Sequence, residues 1–330
     1  MKTVGLGIIG LGYIGQTHLR NSLKLPNCKV IGVADISKKA LLYPKELGLK
    51  TFTNYEDLLK EPAVDAVIIG LPNHLHSQCV KKAAEAGKNI FLEKPIARNI
   101  EEAKEIVSTT QKNSIKLMMG YPMRFQQRFD EVKMRISDGT LGDVEIATAV
   151  YIGSGPFFHR SEGYAPVPVP EWWFNKELTG GGALIDIGCH LINLFRWYFG
   201  EIVNIKSSLG YRFNFDFEDR ATCLIEFESG TFSVINVGWF SQSNKLEIEL
   251  LGSVSHVSAQ HSPSNRILTA LQMLVTGTSK FYEPFKRELE YFVKCLNEDL
   301  MPSPSGYDGL KDIEAICLAY NNQLNFESNE

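Results

Sequence analysis

The sequence predicts a two-domain α/β protein: a doubly wound parallel sheet followed by a domain built on an antiparallel or mixed sheet. Three observations carry this. In the first 120 residues, short apolar runs alternate with helix-like segments at regular intervals. The glycine-rich run Gly10-Leu11-Gly12-Tyr13-Ile14-Gly15 stands between the first apolar run and the first helix. Beyond residue 120, successive strands replace the alternation, with a hairpin turn at Ser229-Gly230. A length of 330 residues, at roughly 150 per domain, accommodates two.

Taken in order, strands are expected at 4–9, 30–34, 66–71, 90–92 and 117–120, with helices at 14–25, 75–86 and 100–111 between them. Ile100, Ala103, Ile106 and Val107 share one helix face. A run apolar throughout, such as AVIIGL, suits a parallel strand buried on both sides. The division into domains is placed at 1–120 and 121–330. In the second block a helix at 125–137 and a strand at 144–152 precede a Pro-, Gly- and aromatic-rich stretch, 153–182. A strongly apolar helix at 183–199 then stops at Gly200, a C-cap residue. Strands fill 202–257, and helices return at 267–275, 285–296 and 310–320.

Composition narrows the function. The chain is 44% hydrophobic and 22% charged with a net charge of −4 and no basic block, so neither intrinsic disorder nor nucleic-acid binding is expected. The six cysteines are scattered without a Cys-x-x-Cys pair, which suits free thiols in a reducing compartment. The apolar start MKTVGLGIIG is broken by glycines and lacks a cleavage site. No stretch approaches the ~20 apolar residues of a membrane span. A cytoplasmic protein with no membrane partner is expected.

Glycine spacing places a cofactor. In G-x-G-x-x-G between strand and helix, Gly10 allows the turn, Gly12 lets backbone approach a pyrophosphate and Gly15 lets helix pack on strand. The helix N-terminus then offers N–H groups to phosphates. Asp35 closes VIGVAD at the spacing where a carboxylate meets the adenosine ribose hydroxyls. This favours NAD, with NADP allowed by Lys38 and Lys39. Leu71-Pro72-Asn73-His74-Leu75-His76 and Glu93-Lys94-Pro95 fall at carboxyl ends of later strands, where ligands bind in open α/β sheets. No metal is expected at His74 and His76, since no Cys or carboxylate lies at ligand spacing.

The succession GLGYIG, Asp35, PNHLH, EKP, GYPMRF and GGGALIDIGCH resembles the Gfo/Idh/MocA family of nicotinamide-dependent oxidoreductases, from residue 4 to the helix at 310–320. The resemblance implies an N-terminal Rossmann domain and a C-terminal α/β domain with a large open, predominantly antiparallel sheet. It implies action on a secondary hydroxyl of a sugar, cyclitol or nucleotide sugar, and a homodimer or homotetramer formed through that sheet. Carried over by residue, it makes Lys94, Asp186 and His190 catalytic. It sets Asn73, His76 and Glu93 beside the nicotinamide and Tyr13 and Ile14 along the pyrophosphate. Arg124 matches an arginine whose role varies in the family and is expected, with Trp172 and Trp173, to bind substrate. The family motif D-x-G-x-H-x-x-D is broken here by Asn193.

Oxidising an alcohol requires a base for its proton, and imidazole titrates near neutrality. Asp186 and His190 are four apart, so a regular α-helix would project both from one face. Lys94 is suited to stabilise a developing alkoxide. The cis form is expected for the Lys94–Pro95 bond. In the aromatic stretch Phe157, Phe158, His159, Tyr164, Trp172 and Trp173 could stack on sugar rings; a hydrophobic lid or subunit contact explains them equally. Two other functions fit the same motifs: a redox-neutral glycosidase or epimerase on held NAD, and a non-enzymatic NAD-binding regulator.

Overall fold

A computed structural model describes residues 2–156, 169–260 and 283–324. The expected helix at 267–275 and the aromatic residues Phe157, Phe158, His159 and Tyr164 lie outside the described residues.

The chain divides into two compact units, one of residues 1–125 with 264–310, the other of residues 126–263 with 311–330. In the first, the strands are β1 (Val4–Ile9), β2 (Cys28–Ala34), β3 (Lys50–Phe52), β4 (Ala66–Ile69), β5 (Asn89–Glu93) and β6 (Leu117–Gly120). They form one sheet in the order β3-β2-β1-β4-β5-β6, parallel at every pairing. This is the doubly wound order, whose direction reverses between β1 and β4. Helices α1 (Tyr13–Ser22), α2 (Leu42–Glu46), α3 (Tyr55–Leu59), α4 (His76–Glu85) and α5 (Ile100–Lys112) lie in the connections. Strands β1 and β4 are buried at every residue, as their apolar runs require. Helix α5 starts on Asn99, whose side chain accepts the Glu102 N–H at 2.9 Å.

In the second unit α6 (Gln127–Ser137) and β7 (Val144–Ile152) are followed by the short α7 (Lys176–Thr179) and then α8 (Cys189–Phe199). Helix α8 ends at Gly200, where φ is +87°. Strands β8 (Ile202–Gly210), β9 (Arg220–Phe227), β10 (Phe232–Gly238), β11 (Lys245–Gly252) and β12 (His256–Gln260) complete a sheet of order β12-β11-β7-β10-β9-β8. Every pairing is antiparallel except β7 with β10. Period-two burial gives this sheet a closed face, with Ala149, Cys223, Ile235 and Ile248 buried, and an open one.

The division differs from a single boundary at 120. Helix α9 (Glu283–Asn297) belongs to the first unit, where Leu289, Phe292 and Val293 join Leu6, Ile8, Leu19 and Phe91 in one core. Each such side chain contributes about 1.5–3 kcal/mol when buried, which is why the amphipathic helix returns to that core. Helix α10 (Gly306–Asn321) carries the chain from the first unit's residues into the second's. The expectation of no span-length apolar stretch also needs correction. Lys176–Phe199 is long and apolar enough to cross a membrane, yet 78% of its apolar window is buried inside the protein, as suits a core helix.

Candidate active site

In the first unit the glycine turn follows β1, beside the reversal in strand order. A Cβ on Gly15 would stand 1.9 Å from the Gly10 carbonyl oxygen, so only glycine lets α1 seat this closely on the turn. A Cβ on Gly12 would meet nothing within 4 Å. Protein packing therefore leaves open space at the start of α1. That start has no side-chain cap and no acidic residue in its first turn, so its N–H groups and positive dipole are available to an anion. Tyr13 is exposed and Ile14 half-buried beside it.

Asp35 accepts the N–H of Leu11 at 2.6 Å and of Ser37 at 2.7 Å. It pins the turn to the end of β2, and a carboxylate has further lone pairs for two ribose hydroxyls. Glycine turn, uncapped helix and aspartate together fit a dinucleotide.

The strand-end segments divide into half-buried and buried members. Leu71 and Asn73 are half-buried. His76 is fully buried, with Nε2 2.9 Å from the Leu71 carbonyl oxygen and Nδ1 3.0 Å from that of Pro95. The imidazole thus ties the PNHLH turn to EKP. Burial pulls its pKa below the ordinary histidine value, against the pull of those carbonyls. Glu93 is buried and Lys94 half-buried, and the Lys94–Pro95 peptide is cis as expected. Arg124 is buried in the turn Pro122–Phe125, where its guanidinium meets Asp308 at 3.1 Å at the start of α10. In this structure that guanidinium ties two segments of the first unit together.

In the second unit, Asp186 and His190 sit at the start of the α8 segment, both half-buried. Regular α spacing was expected between them, but Leu184–Gly188 forms a π-turn. Its i to i+5 bonding widens the turn that carries Asp186, a distortion frequent at functional sites. The His190 ring lies 6.3 Å from that of Tyr151 on the closed face of β7.

What holds this turn is Glu218, which sequence reasoning passed over. It is buried, and accepts N–H groups from Gly182 at 3.1 Å and Leu184 at 2.8 Å, and the Tyr320 hydroxyl at 2.9 Å. A Cβ on Gly182 would fall 1.8 Å from the Glu218 carbonyl oxygen, which accounts for the last residue of the glycine triplet. Burial raises the Glu218 carboxyl above its ordinary range, and the donors pull it back. The only earlier signal was a charged Glu-Asp-Arg run at the head of a strand otherwise apolar in alternation.

Farther along α8, Asn193 donates to Asp312 Oδ2 at 2.7 Å, and Arg196 meets the other oxygen at 2.6 Å. All three are buried. Here Asn193 supplies a donor where the family motif's aspartate would set a second carboxylate against Asp312. Trp172 and Trp173 are half-buried, their rings 5.6 Å apart, and Trp173 lies 6.4 Å from the buried Trp239. They pack onto the second unit's own aromatic core.

Comparison with known proteins agrees with this architecture. Residues 4–121 match the family model described as "Oxidoreductase family, NAD-binding Rossmann fold", and residues 129–257 match the "GFO/IDH/MocA C-terminal domain". The chain is 28% identical to scyllo-inositol 2-dehydrogenase (NAD(+)) of Bacillus subtilis, over 98% of this chain and 94% of that protein. It is 36% identical to 2,7-anhydro-N-acetylneuraminate hydratase of Mediterraneibacter gnavus, over 55% of this chain and 46% of that one. In fold it is similar to scyllo-inositol dehydrogenase from Lactobacillus casei, solved with NAD(H) and scyllo-inositol. The TM-score is 0.80 and the identity 21%, over 98% of this chain and 97% of the other.

Proposed function

Because the chain belongs to the Gfo/Idh/MocA family of NAD-binding oxidoreductases, we propose that it oxidises or reduces a secondary hydroxyl carbon of a cyclitol, sugar or nucleotide sugar. NAD supplies the hydride acceptor or donor at that carbon. What carries this reading is that one unit holds a dinucleotide-fitting turn and the other, taken by itself, an Asp–His turn braced by a buried carboxylate. Full-length similarity to an inositol dehydrogenase supports the substrate class.

In this reading His190 takes the hydroxyl proton on oxidation and returns it on reduction, and Asp186 favours the charged imidazole as the proton arrives. Lys94 stabilises negative charge on the substrate oxygen. Glu218 keeps the Asp186 turn from relaxing to a regular helix. Trp172 and Trp173 offer aromatic faces to the C–H faces of a ring, and Arg124 ties the Pro122–Phe125 turn to the start of α10. Replacing His190 with Ala should lower turnover at least ~10²-fold; near-normal turnover would remove it from this role.

The test is absorbance of reduced nicotinamide with a panel of inositols, aldoses, deoxy sugars and nucleotide-linked sugars, NADP run in parallel. Steady reduction of NAD by one class names the substrate. A second reading, a redox-neutral reaction on held NAD, draws support from the partial similarity to a hydratase. Its signature is substrate turnover without accumulating reduced cofactor.

We further propose a homo-oligomer formed through the open face of the second sheet. Phe232, Ile146 and Leu251 lie side by side across three strands there, 59%, 47% and 40% exposed. Sedimentation should show a dimer or tetramer, and Phe232→Glu should shift it toward monomer. A cytoplasmic location is supported by six free thiols.

A further inference from the structure

Behind the end of β5 three ionisable side chains meet in apolar surroundings. His18 on α1, Glu93 on β5 and Glu288 on α9 are 0%, 5% and 0% exposed. One nitrogen or oxygen from each lies within 4.8 Å of the others. Phe91 and Phe285 stand edge-on to the His18 ring at 5.1 and 6.2 Å, and Phe292 packs on Phe91. His18 Nε2 is 2.6 Å from Glu93 Oε1. The other Glu93 oxygen accepts the Lys94 main-chain N–H at 3.2 Å. Neither oxygen of Glu288 has a hydrogen-bond partner among the described residues.

Such a trio could hold either a metal ion or a proton, and the distances favour the proton. Two ligands on a zinc ion, each ~2.0–2.1 Å from it in tetrahedral array, stand roughly 3.3 Å apart. At 2.6 Å, His18 and Glu93 are instead in direct hydrogen-bond contact. An ionised Glu288 would be an acceptor without donors, facing a second carboxylate in an apolar place. A protonated one becomes a donor, with a Glu93 oxygen within 4.8 Å as the nearby acceptor. Burial first, and the Glu93 charge second, push the Glu288 carboxyl well above its ordinary value.

We propose that Glu288 is a positioning residue for Lys94: its carboxylic acid donates to the Glu93 carboxylate, and together with His18 it holds the Glu93–Lys94 corner in one place. The proposal rests on the reading of Lys94 given above. It also gives α9 a task beyond filling the core, since that helix brings Glu288 beneath EKP from nearly two hundred residues away.

Three measurements on the whole protein test it. Infrared spectra of glutamate-labelled protein should show one neutral carboxylic acid at pH 7 that disappears in Glu288→Gln. Lys94 modification by an amine-directed reagent, followed by mass spectrometry, should change several-fold in Glu288→Leu and return to the parental rate in Glu288→Gln. On the substrate found by the panel, Glu288→Leu should lose about 10- to 100-fold in kcat with little change in KM for NAD, and Glu288→Gln should stay within about threefold.

Absence of the neutral acid overturns the proposal, as does one equivalent of tightly bound divalent metal. A Glu288→Leu variant with unaltered Lys94 labelling, or a Gln variant as impaired as Leu, overturns the positioning role. Should the Leu variant fail to fold, the infrared band and the Gln variant decide. Labelling and infrared results as expected, with no substrate turned over, would count against the oxidoreductase reading and leave the cluster standing.

Discussion

Glu288 in the nucleotide-binding unit and Glu218 in the second unit are both buried, both lie in helix-and-sheet packing, and both have carboxyl groups raised by burial. Their surroundings differ in one respect. Two main-chain N–H groups and a tyrosine hydroxyl are aimed at Glu218, whereas neither oxygen of Glu288 has a hydrogen-bond partner among the described residues, and Glu93 and His18 are its ionisable neighbours. Depth of burial therefore does not set the state of a buried acid. The local supply of donors does, and it makes one glutamate a brace through acceptance and the other a brace through donation.

The largest expected effect breaks the second-unit brace. Glu218→Ala leaves the N–H groups of Gly182 and Leu184 buried without an acceptor, and should cost about 3 kcal/mol or more in urea unfolding. Glu218→Gln should recover only part of that, because its NH2 end cannot accept. At position 288 the same change to glutamine should be close to neutral. Equal costs at the two sites would erase the distinction.

Asn193→Asp comes next. It sets a carboxylate against buried Asp312 in place of a donor at 2.7 Å, and should cost about 2 kcal/mol at neutral pH. The loss should shrink in acid as the new group protonates, and a pH-independent loss would contradict this account. A local feature serves as the reference. Asn99→Ala removes the α5 cap and should cost about 1 kcal/mol in thermal unfolding with kcat unchanged.

The smallest effect concerns pH. A carboxyl whose folded pKa lies above its unfolded value binds more protons in the native state, so stability falls as pH rises from the ordinary glutamate range toward the folded value. Glu288→Gln removes that slope. Its stability should lie within about 1 kcal/mol of the parent near pH 5 and improve relative to the parent as pH rises, with Glu93 and His18 unchanged. Parallel curves would show that Glu288 is not held neutral.

Local physics made most of the first unit readable. Gly10 to Gly15 and Asp35 act through backbone geometry and short sequence separation, and their spacing alone located the turn. Strand β3 was passed over because Lys50–Phe52 is three residues long and carries no period. The Asp186–His190 helix was expected from its apolar run, but its π-turn was not. That distortion depends on Glu218 and Tyr320, whose partners lie 34 and 102 residues away. Glu288 was invisible for the same reason: a charged residue on an amphipathic helix reads as solvated until its neighbours are known. His76, Glu93 and Arg124 lay in motif segments, yet motif position did not show that their side chains are spent on carbonyls, an imidazole and a carboxylate within the unit.

The return of α9 to the first unit has a consequence for how the chain is made. When a ribosome has released the first 125 residues, all six parallel strands exist, but the core they enclose still lacks Leu289, Phe292 and Val293. Roughly 170 more residues must follow, which at ~5–20 residues per second takes on the order of 10–30 s. During that interval the apolar faces of α1 and β5 are open, and residues 126–263 of the second unit are synthesised before they close. A nascent chain arrested just past residue 263 should therefore be far more susceptible to protease and to chaperone capture than its complement of strands suggests. Release of another few dozen residues should end that susceptibility abruptly.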